Sequence, residues 1–279
     1  MRQRRNRTPR GRRRVRLRLW PAARTRRHWR RRLAQTSPRQ RSLFSLAAAV
    51  LLALAINALY QVIRKPTELF FPVGGVLNKT PEETWRAYGP LFERDATSTI
   101  TPQLLAALAQ VEASGNPLAR TYWRWSWSTK PFEFYRPASS AVGMYQITDG
   151  TFAEARHYCI HAHRLVREGA WNDWHACWLN ALYLRIVPQD AIELTAAYLD
   201  LKVNDILARL PQAPAAGAAQ RRHLAAVVHL CGAGAALSYA QRGFRLRAGE
   251  RCGDHDPRAY LRRLDELQTL FARLAAHAD

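Results

Sequence analysis

Residues 108–117 read LAQVEASGNP, and the position of Glu112 in this stretch decides how the chain is read. Upstream, Thr101 suits a helix N-cap and Pro102 the first helical position. The segment QLLAALAQVEA carries no breaker until Gly115, with Pro117 just beyond, so the pattern predicts a helix over 101–114. At helical periodicity Leu104, Leu105, Leu108 and Val111 share one stripe, while Gln103 and Gln110 face away. Glu112 is four residues after Leu108 and falls inside that stripe. Burial and the negative end of the helix dipole both disfavour a charged carboxylate there, which predicts a raised pKa. Such an acid keeps a proton for donation to a leaving oxygen. The plainer reading is a carboxylate at a helix end that reaches water or pairs with one of the many arginines.

Outward from this helix, the body reads as mostly α-helical. Residues 64–95 suggest a tether and a short helix, with Thr80 and Glu83 spaced as a capping box. After the helix, Trp123, Trp125 and Trp127 alternate with Arg124, Ser126 and Ser128, as in a strand or extended hairpin. A row of indoles can stack on sugar faces. It can also pack in a core, or touch a membrane interface beside an anchor. AVGMYQIT (141–148) is a short apolar run, and DGTFAEARHYCIHAHRLVRE resumes helical spacing. Helices over 187–210, from 221 onward and from 257 to the end complete a mainly α domain at 96–279 with one small extended element.

The charge is unevenly distributed. Residues 1–41 hold 18 arginines and no acid, so the other 25 of 43 basic residues face all 21 acidic ones and leave the body at only +4. This basic arm is expected to be disordered and drawn to anionic lipid headgroups, with nucleic acid a poor fit. Residues 42–63 then run for 22 residues without a formal charge, and about 20 apolar residues suffice to cross a bilayer. The flanking arginines place the arm in the cytoplasm and the rest in the periplasm, as a single-pass inner-membrane protein. A cleaved signal ending near Ala53–Ala55 is the alternative.

Cys159, Cys177, Cys231 and Cys252 all follow the apolar segment, and an even count in an oxidising compartment implies two disulfides. Three pairings are open; nearness in sequence favours Cys159–Cys177 and Cys231–Cys252. A zinc site built from His157, Cys159, His161, His163, His175 and Cys177 is set against this. Helical spacing would turn the histidines away from Cys159, so no metal or other cofactor is expected.

VEASGNP, SSAVGMYQITDGTF, AIELTAAYLD and AAVVHLCGAGAA, in that order over about residues 100–240, resemble the soluble lytic transglycosylase family, related to goose-type lysozyme. The resemblance implies a lysozyme-like α+β fold. It puts Glu112 in the place of the catalytic acid, followed by Ala113 where the family has Ser, and then Ser114. Gly143, Met144, Tyr145 and Gln146 stand for Gly-Leu-Met-Gln, and His229 with Leu230 for the Tyr-Asn of a late motif. Substrate contacts are expected at Ser114, Gly143, Met144, Tyr145, Gln146 and His229, with Trp123 and Trp125 in an enlarged loop.

What the family implies is cleavage of the MurNAc-β-1,4-GlcNAc bond of peptidoglycan. Glu112 would act as single acid and base, and 1,6-anhydro ends would form without a second carboxylate. Hydrolysis assisted by a second carboxylate such as Asp149, or a silent peptidoglycan-binding scaffold, are the alternatives. A cell-envelope assembly is a further possible partner.

Overall fold

The computed structural model describes residues 37–127, 129–130, 132–169, 173, 176–210 and 216–277, and for 70–74 and 178 only the backbone. The arginine arm to residue 36, Ser128 and His175 lie outside the described residues. The chain forms two units, Met1–Ile56 and Asn57–Asp279.

In the first unit the described residues belong to helix α1, Pro38–Arg64, whose last two turns pass into the second unit. Leu43, Phe44, Leu46, Leu51 and Leu52 are all exposed. By length and a mean hydropathy of 2.2, α1 is able to span a membrane. A second helix, Ala218–Gln241, passes the same length and composition test, but 44% of its apolar window is buried. It serves as a core helix.

In the second unit a 3-10 run at Pro66–Leu77 leads to α2, Pro81–Asp95. The capping box read in the sequence is present: Glu83 N–H donates to Thr80 Oγ1 at 3.2 Å, and Thr80 N–H to Glu83 Oε2 at 2.9 Å. Helix α3, Pro102–Ala113, starts on the Thr101 cap as expected. It is buried on more than one stripe, since every residue from Leu104 to Ala109 has zero exposure. The alanines explain this: their small side chains let α2 and two later helices, α5 (Pro188–Ala208) and α7 (Pro257–Ala276), approach on several sides.

The tryptophan segment forms the antiparallel pair β1, Trp123–Trp125, and β2, Tyr135–Pro137, in the register Arg124 to Arg136. Beyond it, the helical reading of residues 149–168 is corrected. Helix α4 covers only Asp149–Ala155, and a second hairpin follows, β3 Tyr158–His161 with β4 Arg164–Arg167. The sequence YCIH alternates as well as it spirals, and tertiary partners decide between the two periods. Buried Glu193 of α5, Pro188–Ala208, accepts from Ile160 N–H at 3.0 Å and from the Tyr183 hydroxyl at 2.6 Å. Burial keeps the Glu193 carboxyl above its ordinary range.

Helices α6, Ala218–Gln241, and α7, Pro257–Ala276, close the core. α6 is kinked at Gly232, with φ 80° and ψ 166°, a backbone conformation suited to glycine. Disulfides join Cys159 to Cys177 and Cys231 to Cys252, the pairing that sequence proximity favoured. Each ties a hairpin or loop to its neighbour: β3 to residue 177, and α6 to the loop before α7.

Candidate active site

Glu112 sits on the last turn of α3, and its side chain is 18% exposed. Three elements converge on it. Tyr260 of α7 donates its hydroxyl to Glu112 Oε1 at 2.6 Å. His229 of α6, 14% exposed, brings Nε2 to 3.4 Å from the same oxygen. His255, in the loop that Cys252 ties to α6, adds a favourable charge interaction.

The expected rise in the Glu112 pKa is corrected by these neighbours. Burial pushes the carboxyl up. The hydrogen bond and charge of His229, the Tyr260 hydroxyl and the charge of His255 together outweigh it and hold Glu112 below its ordinary range. Tyr260 moves the other way, well above the ordinary range, because burial and then the Glu112 charge both disfavour phenolate. Tyr260 therefore stays a donor.

After Glu112 the chain turns sharply. Ser114 and Gly115 both have left-handed backbone, φ 50° and 63°. A Cβ on Gly115 would lie 2.3 Å from Thr84 Oγ1, so this glycine is needed for close approach to α2. Ser114 lines a cavity of about 410 Å³ with Asn78, Asn116, Arg120 and Tyr122. A space thus opens beside the end of α3.

Gly143, Met144 and Tyr145 are placed in the interior instead. Met144 and Tyr145 have zero exposure, and the Tyr145 hydroxyl donates to the Leu105 carbonyl at 3.1 Å. The substitution of Tyr for the family's Met is thereby satisfied within the core, and neither side chain reaches a sugar as it stands. Gly143, at φ 80°, allows the Arg185 carbonyl to approach to where a Cβ would be 2.2 Å away. Gln146, half-buried, donates from Nε2 to the Gly143 carbonyl at 2.9 Å and the Ala119 carbonyl at 3.3 Å. It braces the turn against the segment leaving α3.

The indoles divide in role. Trp123 donates Nε1 to Glu68 Oε2 at 2.7 Å, an oxygen that also accepts from Arg120 at 2.9 Å. Trp125 is exposed and packs its ring 4.8 Å from that of Tyr135. Neither lines the cavity beside Ser114 or a larger one, of about 600 Å³, whose walls include Lys65, Arg136, Ser140, Asp149 and Arg185. Glu112 itself lines neither of these two cavities. Asp149 belongs to the larger one, 2.7 Å from Arg185.

Cys159, His161 and Cys177 do come together within metal-ligand distance, but the disulfide uses both thiolates. The zinc alternative loses its sulfur ligands. Sequence reasoning missed Tyr260, which lies 148 residues from Glu112 in an ordinary amphipathic helix. It also missed Glu68 as the buried acceptor beneath the hairpin.

The family described as "Transglycosylase SLT domain" matches residues 90–220, from α2 through the start of α6, and includes Glu112. No curated protein and no solved structure matches the chain. Residues 90–220 thus match the model of the transglycosylase SLT domain, whose lysozyme-like family is generally one of peptidoglycan lytic transglycosylases.

Proposed function

We propose that this protein is a membrane-anchored lytic transglycosylase that cleaves the MurNAc-β-1,4-GlcNAc bond and leaves 1,6-anhydro-MurNAc ends. The observation that carries the reading is a half-buried carboxylate at the end of α3, within the stretch that matches the SLT domain, held by an imidazole and a phenol.

Glu112 in acid form gives its proton to the glycosidic oxygen as the C1–O bond breaks, releasing the GlcNAc 4-hydroxyl. The carboxylate then takes the proton of the muramyl 6-hydroxyl as O6 bonds to C1. The proton count closes, and no water is consumed. His229 Nε2, 3.4 Å from Glu112 Oε1, and the Tyr260 hydroxyl hold free Glu112 below its ordinary range. A glycan that covers the site removes water, and desolvation then favours the neutral acid that the first step needs.

Hydrolysis by inversion would need a second carboxylate about 6.5–9.5 Å from Glu112, and Asp149, the one weighed for that role, is engaged by Arg185 at 2.7 Å. The apolar helix α1 after an arginine-rich arm supports a single-pass inner-membrane protein with its catalytic domain in the periplasm. Two disulfides suit that compartment. In this placement the arm meets anionic lipid on the cytoplasmic side, and the domain meets glycan strands and any envelope assembly built through them.

The test is incubation of the purified full chain in detergent with isolated sacculi, followed by mass spectrometry of the soluble fragments. Anhydro-muramyl ends are expected. Reducing ends would instead establish a hydrolase, and binding without release a scaffold.

A further inference from the structure

The tryptophan hairpin does not serve the site described above. Trp125 is 67% exposed and Trp127 fully so, with Tyr122 and Phe132 exposed beside them. Water-facing aromatic area of this kind on one short element marks a surface that meets something apolar.

What the hairpin is fastened to identifies the partner. Asn57 and Gln61 are the two strongly polar side chains in the second half of the uncharged stretch at 42–63, and both are buried. Asn57 Nδ2 donates to the Tyr135 carbonyl at 2.6 Å, and Gln61 Nε2 to the Phe132 carbonyl at 2.8 Å. The rings of Tyr60 and Phe132 lie 6.0 Å apart, and Arg64 pairs with Glu133 at 2.9 Å. The last two turns of α1 are thus joined directly to Phe132, Glu133 and Tyr135 of the hairpin. On the other side of these same turns Leu59 and Ile63 remain exposed.

We infer that the β1–β2 hairpin seats Trp125 and Trp127 in the phospholipid interface where α1 leaves the bilayer. This rests on the reading of α1 as a membrane span. At about 1.5 Å per residue, Asn57 to Ile63 covers the final ~9 Å of the apolar stretch, so the attached hairpin lies at headgroup depth. Indole is enriched at that depth because its ring is apolar and its N–H polar. Exposed Arg124, together with Arg64 and Arg136 of these joined elements, complements anionic headgroups. The consequence is a second membrane contact for the domain, besides the helix that precedes it.

The full chain, with its four native cysteines in disulfides, is reconstituted in vesicles of phosphatidylethanolamine and phosphatidylglycerol. A nitroxide is placed by Leu51→Cys or, separately, by Trp127→Cys; both positions are exposed, so the fold is unaffected. Collision with oxygen against collision with a water-soluble nickel chelate reads depth. The inference predicts that Leu51→Cys reports hydrocarbon, and that Trp127→Cys loses nickel collisions and gains oxygen collisions relative to a label at Glu266→Cys, an exposed position of α7, in the same vesicles. A lipid-buried Leu51→Cys label with a fully aqueous Trp127→Cys label overturns the hairpin contact alone. An aqueous Leu51→Cys label overturns the membrane span and, with it, the inference.

Discussion

Replacement of Gly143 by alanine tests how the turn beneath the site is built. At φ 80° the new side chain sits in the left-handed region, and its Cβ falls 2.2 Å from the Arg185 carbonyl oxygen and 3.4 Å from that of Pro117. Left-handed backbone costs an ordinary residue about 1–2 kcal/mol. The clash is with backbone atoms, which no rotamer change relieves, so overpacking adds about 1–3 kcal/mol. The Arg185 carbonyl has to retreat by roughly an ångström to reach ordinary contact. That strains a segment whose guanidinium also donates to the Ser140 and Ile147 carbonyls, at 3.0 and 2.8 Å. The expected loss is about 2–5 kcal/mol, equivalent to several degrees in Tm for a domain of this size.

Gly249→Ala is the matched control, because Gly249 has φ 69° but nothing within 4 Å of its Cβ position. It pays the torsional cost alone. Urea unfolding of the full chain in detergent, followed by near-ultraviolet circular dichroism, compares the two. Equal losses for both variants would refute the close approach of residues 143 and 185.

Three further outcomes follow from the same geometry. His229→Gln removes the leading contact that holds Glu112 below its ordinary range and leaves burial to push it up, so the alkaline limb of the kcat/KM profile should move to higher pH; an unmoved limb would contradict that role of His229. Glu112 has a depressed pKa in the folded state, so its contribution to stability is complete above about pH 4.5 and is lost as pH falls through the folded value. Buried Asp95 and Glu193, both raised by burial, act in the opposite sense, and Tm against pH for wild type minus Glu112→Gln isolates the Glu112 part; a flat difference below pH 4.5 would contradict it. Cys231→Ser with Cys252→Ser opens a loop with a sequence separation of 21, and loss of that constraint should cost about 3 kcal/mol in urea unfolding. It should also lower turnover, because the loop carries His255 toward Glu112.

Much of the scaffold was legible in local chemistry. Thr101 and Pro102 announced the start of α3, Thr80 with Glu83 announced α2, and alternation of Trp123 and Trp125 announced a strand, because each signal lies within a few residues of its effect. The second hairpin was not legible. YCIH satisfies helical and extended spacing alike, and the choice depends on Glu193 and Tyr183, which approach from elsewhere in the chain. The same limit applies to the site. Glu112 was visible as a carboxylate on a buried stripe, but the sign of its pKa shift depends on His229 and Tyr260, which come from other helices. Tyr145 was read as a groove residue from its place in a motif, and the core position of its ring became evident only from the packing of α3 against it.

The most direct test of the account is mass spectrometry of sacculus digests made by the full chain and by its Glu112→Gln variant, with folding of both checked by circular dichroism. Loss of a general acid typically lowers the rate about 10²–10⁴-fold. The account predicts anhydro-muramyl fragments from the wild type and a drop of that size for the folded variant. Undiminished release of the same fragments by Glu112→Gln would contradict it.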